Sequence, residues 1–166
     1  MPVHPNASYV HDLVTYDPAT SLGFLISQVR CELLSALEVE LSAEGRLAAF
    51  ELTAAQFVVI AALATAKSDA SMSITALCKR VTYDAGAMTR MLDRLESKQL
   101  IRRHRCTADR RVVYVELTEQ SRAAFPHMWE VSIGVLNRFL SGFKRFEARQ
   151  LENYLGRMLQ NARRAT

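Results

Sequence analysis

The sequence predicts a mainly helical chain carrying a small antiparallel sheet, on three observations. Apolar residues recur every three or four positions over most of the chain, which is the helical period. Between Leu100 and Leu117 this gives way to two short legs, the second of which alternates strictly. Positive charge is crowded into the segment that joins the two patterns. A chain of 166 residues that is 49% hydrophobic can bury a core, so one domain, or a compact pair of subdomains, is expected.

Residues 1 to about 18, with Pro2, Pro5 and Pro18, read as an irregular arm. Leu22, Leu25, Ile26, Val29, Leu33, Ala36, Leu37 and Leu41 then make the stripe of a long amphipathic helix ending near Ser42. Arg30 lies close to the stripe and Cys31 beyond it. After a break at Ala43, Glu44 and Gly45, Thr53 with Gln56 forms a capping box, and Leu52 with Phe57 forms a hydrophobic staple across it. The helix that follows, AAQFVVIAALAT, is almost wholly apolar and so should be central.

Lys67 to Met72 reads as a polar connection. Ser73 caps a short helix in which Ile74, Leu77, Cys78 and Val81 share a packed face. Thr82 and Tyr83 turn the chain into a second helix from near Asp84. There Met88, Leu92 and Leu95, with Met91 beside them, face a core, while Thr89, Arg90, Asp93, Arg94 and Ser97 face away. Gly86, near the start of this helix, would let the backbone approach a phosphate, since helix N-termini attract anions.

Leu100, Ile101 and the cationic run Arg102, Arg103, His104, Arg105 form the outgoing leg of a hairpin. Val113, Val115 and Leu117, alternating with Tyr114 and Glu116, form the return. Thr107 to Arg111 make a polar tip. Helix, turn, helix and hairpin in this order make a winged helix-turn-helix lobe over about 53–118. Its second helix would read a major groove, and an arginine on the thin hairpin would enter the minor groove. From Lys79 to Arg111 there are ten Lys or Arg and four acids, a net of +6 in a chain of +4. Charge concentrated in one motif is what neutralising DNA phosphates requires.

Thr118 can cap the next helix. Its stripe is Phe125, Met128, Trp129, Ser132, Val135, Leu136, Phe139, Leu140 and Phe143, running through about Gly142, and Pro126 should bend or interrupt its first turns. The last helix, from about Glu147, aligns Leu151, Tyr154, Leu155, Met158 and Leu159, and Arg163 and Arg164 suit its C-terminal dipole. The terminal helices, 19–45 and 119–164, carry more apolar surface than the lobe can cover. A second copy would cover it, giving a homodimer whose two reading helices meet major grooves about 34 Å apart on an inverted repeat of double-stranded DNA.

The segments AMTRMLDRLESKQLIRR and DRRVVYVELT resemble the multiple antibiotic resistance regulator (MarR) family, whose wing reads Asp-x-Arg and closes on Leu-Thr, here Asp109, Arg111, Leu117 and Thr118. The resemblance implies that Arg90 and Arg94 lie on the recognition helix, that Arg111 enters the minor groove, and that Asp109 pairs with a neighbouring arginine to hold the wing. Thr82, Gly86, Thr89, Arg103, Arg105 and Arg110 complete the expected DNA-binding set. Gln99 departs from the pattern, since the family often ends this helix on glycine. The family also implies a small effector, an aromatic acid or phenol, bound between the terminal helices and the lobe. Arg30 is the candidate carboxylate partner, with His11, Tyr16, His127 and Trp129 as candidate lining residues.

Other classes are weighed on the same residues. Cys31, Cys78 and Cys106 form no CxxC pair, so neither a disulfide framework nor a zinc ribbon is expected; Cys78 reads as a core residue. Cys106, among arginines and expected to be exposed, and Cys31 are the candidates for a thiol-redox sensor. Cys31 falls one to two turns beyond the position of the reactive cysteine in peroxide-sensing members of the family. A winged helix can also serve as a protein-interaction module, but the polar face of Thr89, Arg90 and Arg94 suits DNA better. No nucleotide-binding, metalloprotease or hydrolase motif is present, so no enzyme activity, cofactor or metal is expected. No apolar run is long enough for a membrane span and residues 1–12 lack a signal-peptide core, so a cytoplasmic protein is expected.

Overall fold

The computed structural model describes residues 16–66 and 71–165. Six helices and three strands follow one another: α1 (Leu22–Ala43), α2 (Ala54–Ala64), β1 (Ser71–Ser73), α3 (Ile74–Val81), α4 (Ala85–Ser97), β2 (Ile101–Arg105), β3 (Val113–Leu117), α5 (Glu119–Phe139) and α6 (Arg145–Arg164). The architecture is mainly α with a small antiparallel sheet, as the periodicities require. The helix starts follow their predicted caps. Thr53 Oγ1 accepts from the Gln56 N–H (3.2 Å) while Gln56 Oε1 accepts from the Thr53 N–H (3.1 Å). Ser73 and Thr118 accept from Ala76 and Ser121 in the same way.

The core is built around α2, where Phe57, Val59, Ile60 and Leu63 are buried, and Leu52 and Phe57 are buried as a staple across its start needs. Leu77 of α3, Met88, Leu92 and Leu95 of α4, Ile101 and Val115 of the sheet and Met128 of α5 close on it, each 0 or 1% exposed. Each such side chain contributes about 1.5–3 kcal/mol over its exposed state. Leu37 and Leu41 of α1 and Val135 of α5 belong to the same buried cluster.

The helix α4 ends on Gln99 at φ +59°, in the left-handed region where glycine is usual. The Gln99 N–H bonds Glu96 O and the Leu100 N–H bonds Leu95 O, both at 2.9 Å, with Leu95 and Leu100 buried together. This is a Schellman stop made without glycine, so the helix ends as the family pattern implies although the residue differs.

Three features correct the sequence reading. Ser71–Ser73 is a strand rather than connection, paired with β3 from Ser71↔Glu116 to Ser73↔Tyr114, which makes the sheet order β1-β3-β2. Pro126 lies inside an unbroken α5, which ends at Phe139 rather than near Gly142. Proline's missing N–H would leave the Arg122 carbonyl unpaired, and Arg122 is exposed, so water can satisfy it. Lys98, counted among the basic residues, points inward: its Nζ donates to Phe50 O (2.9 Å) and, at longer range, to Gln56 Oε1 (3.4 Å), bracing the turn before α2.

The terminal helices differ. Leu37 and Leu41 bury the second half of α1, but Leu22, Phe24, Leu25 and Val29 of its first half are 46–54% exposed. None of the residues of α6 is buried, and Tyr154 and Leu159 lie open.

Candidate nucleic-acid interface

Two elements project the cations. On α4, Asp84 caps the N-terminus, its Oδ1 accepting from the Ala87 N–H at 2.8 Å; this bond above all holds the carboxyl below the usual carboxylate range. Gly86, Thr89, Arg90 and Arg94 are exposed, as is Thr82, which ends α3 at φ +58°. A Cβ on Gly86 would come within 3.2 Å of Asp84 Oδ1 and 3.6 Å of Arg90 Nη1. The glycine thus makes room for the cap, and the cap's own carboxylate takes the N–H that was expected to attract a phosphate.

On the hairpin, Arg105 pairs in register with Val113, and the loop beyond is closed by Cys106 N–H to Val112 O and Val112 N–H to Asp109 O, both at 2.9 Å. Asp109 Oδ1 accepts from the backbone N–H of Arg111 at 2.9 Å. The expected Asp109–arginine ion pair is absent among the described residues, because the short side chain folds back on its own turn. Arg102, Arg105, Arg110 and Arg111 are exposed, and no ion pair among the described residues engages them, Arg90 or Arg94. His104 stacks on Tyr114 on the outer face, centroids 5.7 Å apart. Cys106, expected to be exposed, is half-buried.

Arg103 departs from the expected set. Its Nη1 lies 2.8 Å from Asp93 Oδ1, its Nε 2.9 Å from Glu96 Oε2, and its backbone N–H 3.2 Å from Glu96 Oε1. Only 27% of the side chain is exposed. Hydrogen bonding to Arg103 lowers the Glu96 pKa, and the same bonds raise that of the guanidinium. Sequence alone hid this because β2 folds back along α4. The available signal was two acids three residues apart, on the α4 edge that a short turn would bring beside the next strand.

The expected effector residues are not gathered. Arg30 lines an apolar groove of about 550 Å³ with Leu22, Leu25, Ile26, Val29, Leu33 and Leu34 of α1, Val58 of α2, Val81 and Tyr83 of the helix-turn-helix, and Leu151 and Leu155 of α6. His127 lies instead beside Glu130, Nδ1 to Oε2 3.7 Å, and exposed Trp129 leans on Phe125 at 5.6 Å. Tyr16 is exposed and is not among the groove's lining residues, and His11 lies outside the described residues. Among the described residues no cluster of three metal-ligating side chains occurs, and no helix is long and apolar enough to cross a membrane.

Comparison with known proteins agrees with this geometry. The profile of the MarR family matches residues 52–113, the winged segment. The HTH-type transcriptional repressor MdtR of Bacillus subtilis is 28% identical over 151 residues, covering 91% of this chain and 89% of MdtR. A mutant of MarR from E. coli is 30% identical with a TM-score of 0.65, covering 84% of this chain and 96% of that one. Solved in complex with operator DNA, that mutant superposes with a TM-score of 0.73 at 29% identity, over 87% of this chain and 99% of the other. With the capped reading helix, the cationic hairpin and these matches, the chain belongs to the MarR family of winged helix-turn-helix transcriptional regulators.

Proposed function

We propose that the protein is a homodimeric repressor that binds an inverted-repeat operator and is released by a small aromatic acid or phenol. The observation that carries the DNA-binding reading is the set of exposed, unpaired cations on two adjoining projections, Arg90 and Arg94 on α4 and Arg105, Arg110 and Arg111 on the hairpin. Arginine on a helix can take guanine O6 and N7 in the major groove, and Thr89 can meet a thymine methyl or a phosphate. Thr82 and Gly86 flank that face, and Arg111 at the hairpin tip would occupy the minor groove.

Dimerisation is supported by the apolar faces of α1 and α6, which the single chain leaves open. The residues of 19–45 and 119–164 would form that interface and about 53–118 the reading lobe. The effector reading is supported by the groove at Arg30, where one cation borders an otherwise apolar surface that touches both the terminal helices and the helix-turn-helix. A ligand there would act by favouring one arrangement of lobe against terminal helices.

The test is a fluorescence-anisotropy titration on DNA fragments flanking the protein's own gene, at two salt concentrations, with and without a panel of aromatic acids. Salt-dependent binding of one dimer per inverted repeat, relieved by one acid and not by others, is expected. Salt-dependent binding that peroxide abolishes and no acid changes would move the sensor to cysteine. Absence of sequence-selective binding in every condition would overturn the reading.

A further inference from the structure

The wing is held to the reading helix at one described point beyond the core. Ile101 and Leu117 anchor the base of the hairpin in the core, and β1 supports β3 only from Tyr114 to Glu116. Past that, Arg105 and Val113 form a two-stranded ribbon, an arrangement of marginal stability by itself. Arg103 stands two residues before this ribbon, opposite Val115 in the three-stranded part, on the face turned toward α4. There it spans Asp93 and Glu96, carboxylates one turn apart on the reading helix, with its guanidinium on both and its backbone N–H on Glu96. A planar guanidinium that bonds two fixed carboxylates sets an orientation as well as a distance.

We propose that Arg103 is a positioning residue: by clamping β2 to Asp93 and Glu96 it fixes the separation between the reading helix and the wing tip, and so the register of the two groove contacts. The inference rests on the DNA-binding reading. It also accounts for two acids on a helix that should meet phosphates, since Arg103 offsets both charges and turns them toward the wing. The sequence reading placed Arg103 in contact with DNA; the clamp makes it act through Arg111.

The two roles predict opposite results for Glu96→Gln, measured by anisotropy on the tightest-binding duplex from the fragments flanking the gene. The substitution removes a negative charge from the reading helix and touches none of the exposed cations, so charge alone would tighten binding. Loss of the clamp would weaken binding instead, by about three- to tenfold, a coupling of the size contacting residues usually show. In an Arg111→Ala background the further loss should fall within about twofold, because the wing contact is already gone. Arg103→Gln should behave likewise, whereas a phosphate-contacting arginine would lower the salt slope by about one and add its effect to that of Arg111→Ala. Thermal melting of each variant separates a weakened fold from a misplaced wing. Tighter binding by Glu96→Gln, or additivity of Arg103→Gln with Arg111→Ala, overturns the clamp while leaving the DNA-binding reading intact. If the unaltered protein selects no duplex, the DNA-binding reading fails and the clamp's role fails with it.

Discussion

The reading lobe and the terminal helices are built to opposite standards. In the lobe, Leu77, Met88, Leu92, Leu95 and Leu100 are all 0% exposed, every helix start is capped by a side chain, and one lysine reaches across to brace a turn. In α1 and α6, leucines, tyrosine and phenylalanine stand 40–60% exposed along helices just as periodic. The difference teaches that helical period reports which side chains share a face but not what that face meets. The lobe closes around a shared core that α1 and α5 help to fill, whereas the described residues leave the apolar faces of early α1 and of α6 open.

The largest effect should separate the two regions directly. Leu95→Ala, in a packed site, is expected to cost about 2–5 kcal/mol in urea denaturation. Leu159→Ala, at 58% exposure in the single chain, should cost under about 0.5 kcal/mol at protein concentrations too low for association. At higher concentration the loss should grow if a second copy covers it; a large loss independent of concentration would break the comparison.

Arg111→Ala is expected to weaken operator binding by about 1–3 kcal/mol while leaving the melting temperature unchanged, because its proposed contact is with DNA and its exposed side chain takes no part in the core. Lys98→Met should do the reverse, lowering stability by about 1–3 kcal/mol through lost charged hydrogen bonds with little change in the salt slope of DNA binding. That pair sharpens the division between cations that project and a cation that braces.

Smaller effects concern the seam between helix and wing. Glu96 has a lowered pKa in the folded chain, so its pairing with Arg103 stabilises the fold above the ordinary glutamate range and is lost as pH falls through the folded value. Acid unfolding of Glu96→Gln should therefore be less steep than that of the unaltered protein, with no difference near neutrality in slope. Gln99→Gly, which relieves a left-handed glutamine, should raise stability by about 0.5–1 kcal/mol; a fall would show that glycine's entropy cost in the unfolded chain outweighs the strain relieved.

What was legible in the sequence was local. Thr53, Ser73 and Thr118 could be read as caps because the groups they bond lie three residues on, and Met88, Leu92 and Leu95 as core because their spacing is a property of one helix. Contacts between elements were not legible. Ser71–Ser73 alternates over three residues only, too short a run to signal a strand, so β1 exists only because β3 offers it an edge. Arg103 and Lys98 look like any other members of a basic run, and only the return of β2 along α4 and the approach of the pre-α2 turn reveal their partners. The candidate DNA-reading cations that remain exposed are those with no such neighbour. For the effector, Arg30 could be placed near a stripe, but which stripe residues close around it depends on α6, far along the chain.

The sheet order leaves β2 as an edge strand, five residues long, to which an extended chain could add, although the outward N–H of Arg103 is already taken by Glu96 Oε1. Natural proteins discourage such additions by placing charge along the edge. Arg102, His104 and Arg105 line this one. On this principle the charges along β2 would also oppose edge-to-edge association, and variants that neutralise several at once would be expected to lose colloidal stability together with the proposed affinity for DNA.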